Sequence, residues 1–290
     1  RHSNPYGRQK RVLGWSVRRL LKEYLRTSLL SLYLYPKELW IGRRYLLRSL
    51  AQANTRNQSR SIVIGNGPSQ GYLTPRLLDE FVSNGGETIC VNYWPSNKHL
   101  CAHVPSWMLL SDPASFSKSN ERSQTLLTYL RNHQDIKLVI PFSYAMIIDI
   151  IQLPNRIYGF VDTELPILRN IHPMAPRGYL SMTLYKALAW SIYLGYSQIG
   201  ILGMDNTYPR NIYCDSSNHI LNLECHAGID DYVFDLTNEY LNVASVMDSY
   251  TRLFNDLECF SVCSAVNLDP YSLTDRFSKV DLTTFLDASN

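Results

Sequence analysis

No two cysteines of this 290-residue chain stand in a CxxC spacing, and the six present (Cys90, Cys101, Cys214, Cys225, Cys259 and Cys263) are too sparse to staple a fold. A disulfide scaffold is excluded, and a reduced, cytoplasmic setting is expected. Long apolar runs are missing too: Thr27 to Pro36, the longest near the N-terminus, is about half of the roughly 20 residues a spanning helix needs. It also lacks the flanks of a secretory signal. Neither GxGxxG nor GxxxxGK[ST] occurs, which removes the dinucleotide fingerprint and the Walker nucleotide loop. Repeats and low-complexity stretches are absent. With 45% hydrophobic and 18% charged residues, the composition is that of one large globular core.

What is present is unevenly charged. Residues 1 to 60 hold 14 Lys and Arg against two acids, Glu23 and Glu38, a net +12. The other 230 residues carry −9, so the overall +3 conceals a dipolar chain. Within Arg11 to Arg26, Leu13, Val17, Leu20, Leu21, Tyr24 and Leu25 recur at helical spacing, with Arg18, Arg19, Lys22 and Arg26 between them. Lys37 to Gln52 does the same around Leu39, Trp40, Tyr45, Leu46, Leu47 and Leu50. Basic amphipathic helices suit an in-plane membrane anchor, at roughly 1 kcal/mol for each basic residue near anionic lipid. The same helices also suit packing on the acidic remainder or on a second copy. A peripheral membrane surface through residues 1 to 55 is the expected partner, ahead of a homo-oligomer and of nucleic acid. Polar Ala51 to Arg60 reads as a linker, dividing a basic helical segment (1–60) from a main domain (61–290).

From Ser61 the pattern alternates. Strands are expected at Ser61–Gly65, Thr88–Asn92, Lys137–Ile140, Gln198–Leu202 and Leu257–Cys263. Helices are expected around Pro75–Val82 and at Glu121–His133, Tyr144–Gln152, Tyr179–Leu194 and Asp235–Phe254. The fold class is therefore α/β, a Rossmann-like, mostly parallel sheet with helices on both faces, and ligands belong outside the carboxyl ends of its strands. Those ends carry Gly65-Asn66-Gly67-Pro68-Ser69, Asn92-Tyr93-Trp94, Ser111-Asp112-Pro113 and Gly203-Met204-Asp205-Asn206. Paired glycines let a backbone turn sharply against a ligand, and amides at a following helix start can cradle phosphate.

These blocks carry a resemblance. Ile64 to Ser69, Val91-Asn92-Tyr93, Asp112-Pro113, Gly178-Tyr179-Leu180-Ser181 and the run from Leu194-Gly195-Tyr196 to Gly203-Met204-Asp205 follow in the order seen in the bacterial sialyltransferases of glycosyltransferase family 42, which the chain resembles. The order is also similar to that of the MptE-like (6-hydroxymethylpterin diphosphokinase-like) superfamily. The resemblance covers about Ser61 to about Leu282. It implies metal-independent, inverting transfer of a nonulosonic acid from a CMP-activated donor to a hydroxyl of a glycan or lipid-linked acceptor, with no cofactor.

Position by position, the resemblance puts Asn66 and Asn92 on the donor phosphate and sugar, within the loop Gly65, Gly67, Pro68 and Ser69. It puts Ser181 at the cytidine or donor carboxylate, Asp205 at the fourth strand end and Tyr213 on the departing phosphate. Tyr208 is one position from Thr207, where the family has a second phosphate-binding tyrosine, and Asp112 stands where it has Asn. Phenols and amides stabilise charge growing on a leaving phosphate without a metal. The proton acceptor is Glu239 by ungapped alignment, or His226 or His219 with a gap. His226 is favoured, since Cys225 to Tyr232 reads as a loop whose Asp230 and Asp231 can orient an imidazole. Asn206 to Leu236, long, polar and aperiodic, is the expected lid.

Two alternatives stand beside this reading: ATP-dependent diphosphate transfer with Mg²⁺ held by Asp230, Asp231 and Asp235, and a non-catalytic adaptor. His99, Cys101 and His103, read as alternating strand neighbours, lack zinc spacing, and so do Cys214, His219, Cys225 and His226. No metal is expected at either.

Overall fold

A computed structural model describes residues 5–57, 59–117, 120–165, 170–178, 182–226, 229–237, 242–260 and 264–287; side chains before residue 21, at 23–24, 208, 234, 245 and 252 and across 224–232 are not included. Two helices open the chain, α1 (Pro5–Ile41) and α2 (Arg43–Leu50). Strands β1 (Arg60–Ile64), β2 (Glu87–Val91), β3 (Trp107–Leu109), β4 (Lys137–Pro141) and β5 (Ile157–Phe160) follow. Helices α3 (Pro75–Ser83), α4 (Glu121–Asn132) and α5 (Ala145–Ile151) connect them. Helix α6 (Thr183–Leu194) then leads to β6 (Gln198–Leu202). Beyond it come β7 (Ile212–Cys214), β8 (Ile220–His226), β9 (Ile229–Asp235), α7 (Val243–Leu257), β10 (Ala265–Asn267), β11 (Ser278–Lys279) and α8 (Leu282–Asp287).

Among the described residues, eight strands make one sheet in the order β11-β10-β6-β1-β2-β3-β4-β5, with every pairing parallel. This is the Rossmann-like α/β class that the alternation implies. Ile62, Val63 and Ile64 are wholly buried, as is usual for a strand covered on both faces. Trp190 of α6 packs edge-on to Trp107 of β3 with ring centres 6.0 Å apart, seating α6 over the middle of the sheet.

Several boundaries differ from expectation. Leu257 ends α7 instead of starting a strand, and the sheet strand is Ala265–Asn267. Leu257 and Phe260 are core residues, and a short apolar run does not distinguish a buried helix end from a strand. Asp235 ends β9, and the helix expected from it starts at Val243. The Asn206–Leu236 segment is not irregular: β7, β8 and β9 form an antiparallel sheet. Cys225 and His226 thus close β8, and Ile229 to Tyr232 lie in β9, where a loop was expected. His99 to His103 lies in turns after a 3₁₀ turn at Trp94–Ser96, not in a strand. Four-residue β5, interrupted by Gly159, was too short to read.

The basic segment is seated on the sheet from about residue 31. Ser49 Oγ accepts the Gly159 amide at 2.8 Å, and the Tyr193 hydroxyl donates to Ser49 O at 3.1 Å, so α2 covers the β5 edge that would otherwise stand open. Helix α1 passes through Pro36 and reaches Gly42, where a Cβ would overlap the Phe142 ring. The connection to β1 is pinned as well: Asn54 and Arg56 donate amides to Tyr193 O and Leu194 O at 3.0 and 2.9 Å. Among the described residues, no helix is long and apolar enough to cross a membrane.

Candidate functional site

The sheet grows outward from β1 to β5, and the chain then returns to the other side of β1 as β6. At such a reversal the loops leaving the two central strands part, and the crevice between them is where doubly wound sheets take ligands. Here those loops are Gly65–Ser69 and Gly203–Asn206. They are closely tied to each other. Gly65 N donates to Leu202 O at 2.8 Å and Gly67 N to Gly203 O at 3.1 Å. Gly203 has φ +73° and donates to Ser69 Oγ at 2.8 Å. A Cβ on Gly65 would fall on the Gly203 carbonyl, and one on Gly67 on the Asp205 carboxylate. The glycines therefore serve the approach of one loop to the other.

Asp205 locks this crossing. Its carboxylate oxygens accept the Ser69 amide at 2.9 Å and the Ser69 hydroxyl at 3.0 Å. Burial first, then the nearby Asp269 charge, push its carboxyl up to about 6, against the lowering effect of the Ser69 bonds. The Ser69 amide, which the sequence offered to a phosphate, is thus committed to Asp205, and Pro68 before it has no N–H to give. The helix start itself is only a 3₁₀ turn, Pro68–Tyr72.

The other strand ends are occupied to different degrees. Asn92 sits at φ +46°, a left-handed conformation that asparagine tolerates. Its carboxamide accepts from Ser111 N at 3.3 Å and donates to Thr183 Oγ1 at 3.0 Å, joining β2, β3 and the start of α6. Asp112 accepts the Ala114 amide at 2.9 Å and caps a 3₁₀ turn. Asn206, at φ +50°, donates to Thr274 Oγ1 at 2.8 Å. Asn66 differs: half-buried at the reversal itself, its carboxamide makes no hydrogen bond among the described residues.

Gly65, Asn66, Gly67, Pro68, Ser69 and Asp205 are thus brought together, and Asn92 lies one strand away beside the Ser111–Asp112 turn. Tyr213 is on β7, 45% exposed and opposite Leu221. Tyr208 opens the 3₁₀ turn before β7, and exposed His219 lies 3.8 Å from Asp215 between β7 and β8. Ser181 and Glu239 fall outside the described residues, as do the side chains of Tyr208, His226, Asp230 and Asp231. No group of three or more metal-ligating side chains is found among the described residues. His103 is committed elsewhere, with Nε2 2.9 Å from Thr88 Oγ1 and Nδ1 2.6 Å from Asp79 Oδ1.

A second polar centre, which the motif reading missed, lies past the end of β5. Glu38 of α1 accepts Asp162 N at 2.8 Å, Thr163 N at 2.9 Å and Thr163 Oγ1 at 2.7 Å. Asp162 pairs with Arg177, which is 2% exposed, and with Lys186 at 2.8 Å. Burial, reinforced by Asp162, raises the neighbouring Glu164 carboxyl to about 7. The one available signal was Glu38 itself, one of two acids in an otherwise basic segment.

No family model and no curated protein matches the chain. Among solved structures, it is similar to a MAf glycosyltransferase from Magnetospirillum magneticum AMB-1, at 9% identity and a TM-score of 0.44, over 80% of this chain and 37% of that one. The chain therefore spans well under half the length of that protein.

Proposed function

We propose that the protein is a glycosyltransferase that moves a nonulosonic acid from a CMP-activated donor to a hydroxyl of a glycan or lipid-linked acceptor. Asn66 is the observation that carries this reading. At the sheet reversal, where the neighbouring polar groups are committed to protein partners, its carboxamide is left over to meet a phosphate or ribose oxygen. In the transfer, the acceptor oxygen bonds to the anomeric carbon as the bond to the CMP phosphate breaks. The charge passes to phosphate, where Tyr213 is the proposed donor of a hydrogen bond. The acceptor proton goes to a base, for which His226, Glu239 and His219 are the alternatives.

Ligand-induced stabilisation tests this directly. At 100 times its dissociation constant a ligand adds about 2.7 kcal/mol, so CMP should raise the unfolding temperature where UDP, GTP and ATP do not. Asn66→Ala should remove that rise and change the stability of the free protein by less than about 0.5 kcal/mol. A rise with ATP and Mg²⁺ alone would replace the reading with diphosphate transfer. Silence from every nucleotide would leave an adaptor.

A further inference from the structure

Among the described side chains of α1, those buried against the rest of the fold lie toward one side of the helix. Ser31 and Glu38, seven residues apart and so on one helical face, are buried at the β5 end, where Ser31 bonds to Glu164 O. Leu21, Leu25, Leu29 and Leu32 recur at steps of four and three on a different face, and each is 58% to 72% exposed. Trp40, at 66%, continues that side, and Leu47 of α2 is 77% exposed. Helix α5, tied to α2, also carries exposed apolar residues. Asp149 ties it to α2 through Arg44 at 2.5 Å and the Tyr45 hydroxyl at 2.7 Å, while its neighbours Met146 and Ile150 are 64% and 75% exposed. An apolar surface of this extent marks an interaction site.

Charge selects the occupant. Lys22, Arg26, Lys37, Arg43 and Arg48 are exposed on the same two helices, whereas Glu38 is buried on the inner side. The Arg43 guanidinium lies 4.6 Å from the Trp40 ring centre and the Lys37 ammonium 5.7 Å from that of Tyr33. Amphipathic rings carrying cations beside leucines match the boundary between lipid headgroups and acyl chains. A second copy would set this net +12 segment against itself, and nucleic acid has no use for the leucines. We infer that α1, α2 and α5 together form one face that lies in the plane of an anionic membrane leaflet. The inner side of α1 meanwhile clamps that face to the sheet.

Co-sedimentation of the full chain with vesicles provides the test, using phosphatidylcholine alone and phosphatidylcholine mixed with phosphatidylserine. Binding is expected to the mixed vesicles and to weaken as salt rises. The double substitution Leu25→Glu and Leu29→Glu should cut the pelleted fraction at least about tenfold, because apolar burial is lost at the headgroup boundary. Ile150→Glu alone should cut it several-fold, which a simple α1 anchor does not predict. All these positions are exposed, so circular dichroism and the unfolding temperature should be unchanged. No wild-type sedimentation, binding indifferent to Ile150→Glu, or a dimer that the leucine substitutions dissociate would each overturn the proposal.

Discussion

The carboxyl edge of the sheet carries two polar centres built on opposite plans. Between β1 and β6, backbone lies on backbone, with glycines where side chains would collide, a single carboxylate holding the crossing and one amide left over. Past β5, Glu38 takes two backbone amides and the Thr163 hydroxyl, while the adjacent Asp162 pairs with Arg177 and Lys186. The first arrangement leaves one carboxamide without a partner among the described residues, and in the second Glu38 ties α1 to the end of β5. Close backbone approach can be made only by residues without a Cβ, so it leaves a motif. A buried ionic cluster recruits its members from any distance and leaves none.

The comparison breaks most visibly at Gly65. Alanine there would drive its Cβ onto the Gly203 carbonyl and against Leu184 at 2.8 Å, and a backbone atom cannot step aside as a flexible side chain can. A loss of about 4 kcal/mol is expected in denaturant unfolding. Gly71→Ala, six residues on and with no heavy atom near the added methyl, should stay within about 0.5 kcal/mol of wild type. Equal effects at both positions would mean that the loops do not cross as described.

The β5 centre should be the next most sensitive. Glu38→Ala leaves the buried Thr163 amide and hydroxyl and the part-buried Asp162 amide without their acceptor, at a cost of about 3 kcal/mol. Because Glu38 also holds α1, limited proteolysis should cut the first 40 residues faster in this variant, while CMP-induced stabilisation persists. If nucleotide binding were lost as well, the two centres would be one site.

Legibility followed the same division. β1, β2, β4 and β6 were readable because strands buried on both faces become continuous apolar runs, and Gln198–Leu202 matched end to end. The glycine loops that close the reversal were readable for the steric reason given above. Neither the pairing of Ser69 with Asp205 nor the free state of Asn66 was, because both depend on how two loops 136 positions apart meet. The β7–β9 sheet escaped because its strands are half polar, so Asn206–Leu236 read as an aperiodic lid. Basic composition described the outer face of α1 and said nothing of the inner one.

The smallest expected effect is the most pointed, because it asks whether the β1–β6 crossing is dry. The Asp205 carboxyl, ordinarily near 3.8, titrates at about 6 in the folded protein. The folded state thus holds its proton more tightly than the unfolded chain does. The stability this group contributes is greatest below about pH 4, falls as pH rises to about 6 and is constant beyond. Asp205→Asn has no carboxyl to titrate. The difference in unfolding free energy between the variant and wild type should therefore shift in the variant's favour by about 2 kcal/mol from pH 4 to pH 6.5. Glu164→Gln should show the corresponding shift at the other centre in a higher window, ending near pH 7. A flat Asp205 difference beside a sloping Glu164 difference would mean that water reaches the crossing and that its loops stand further apart. Saturating CMP sharpens the test: a phosphate held by Asn66 adds negative charge next to this loop, so it should move the Asp205 window upward and leave the Glu164 window in place.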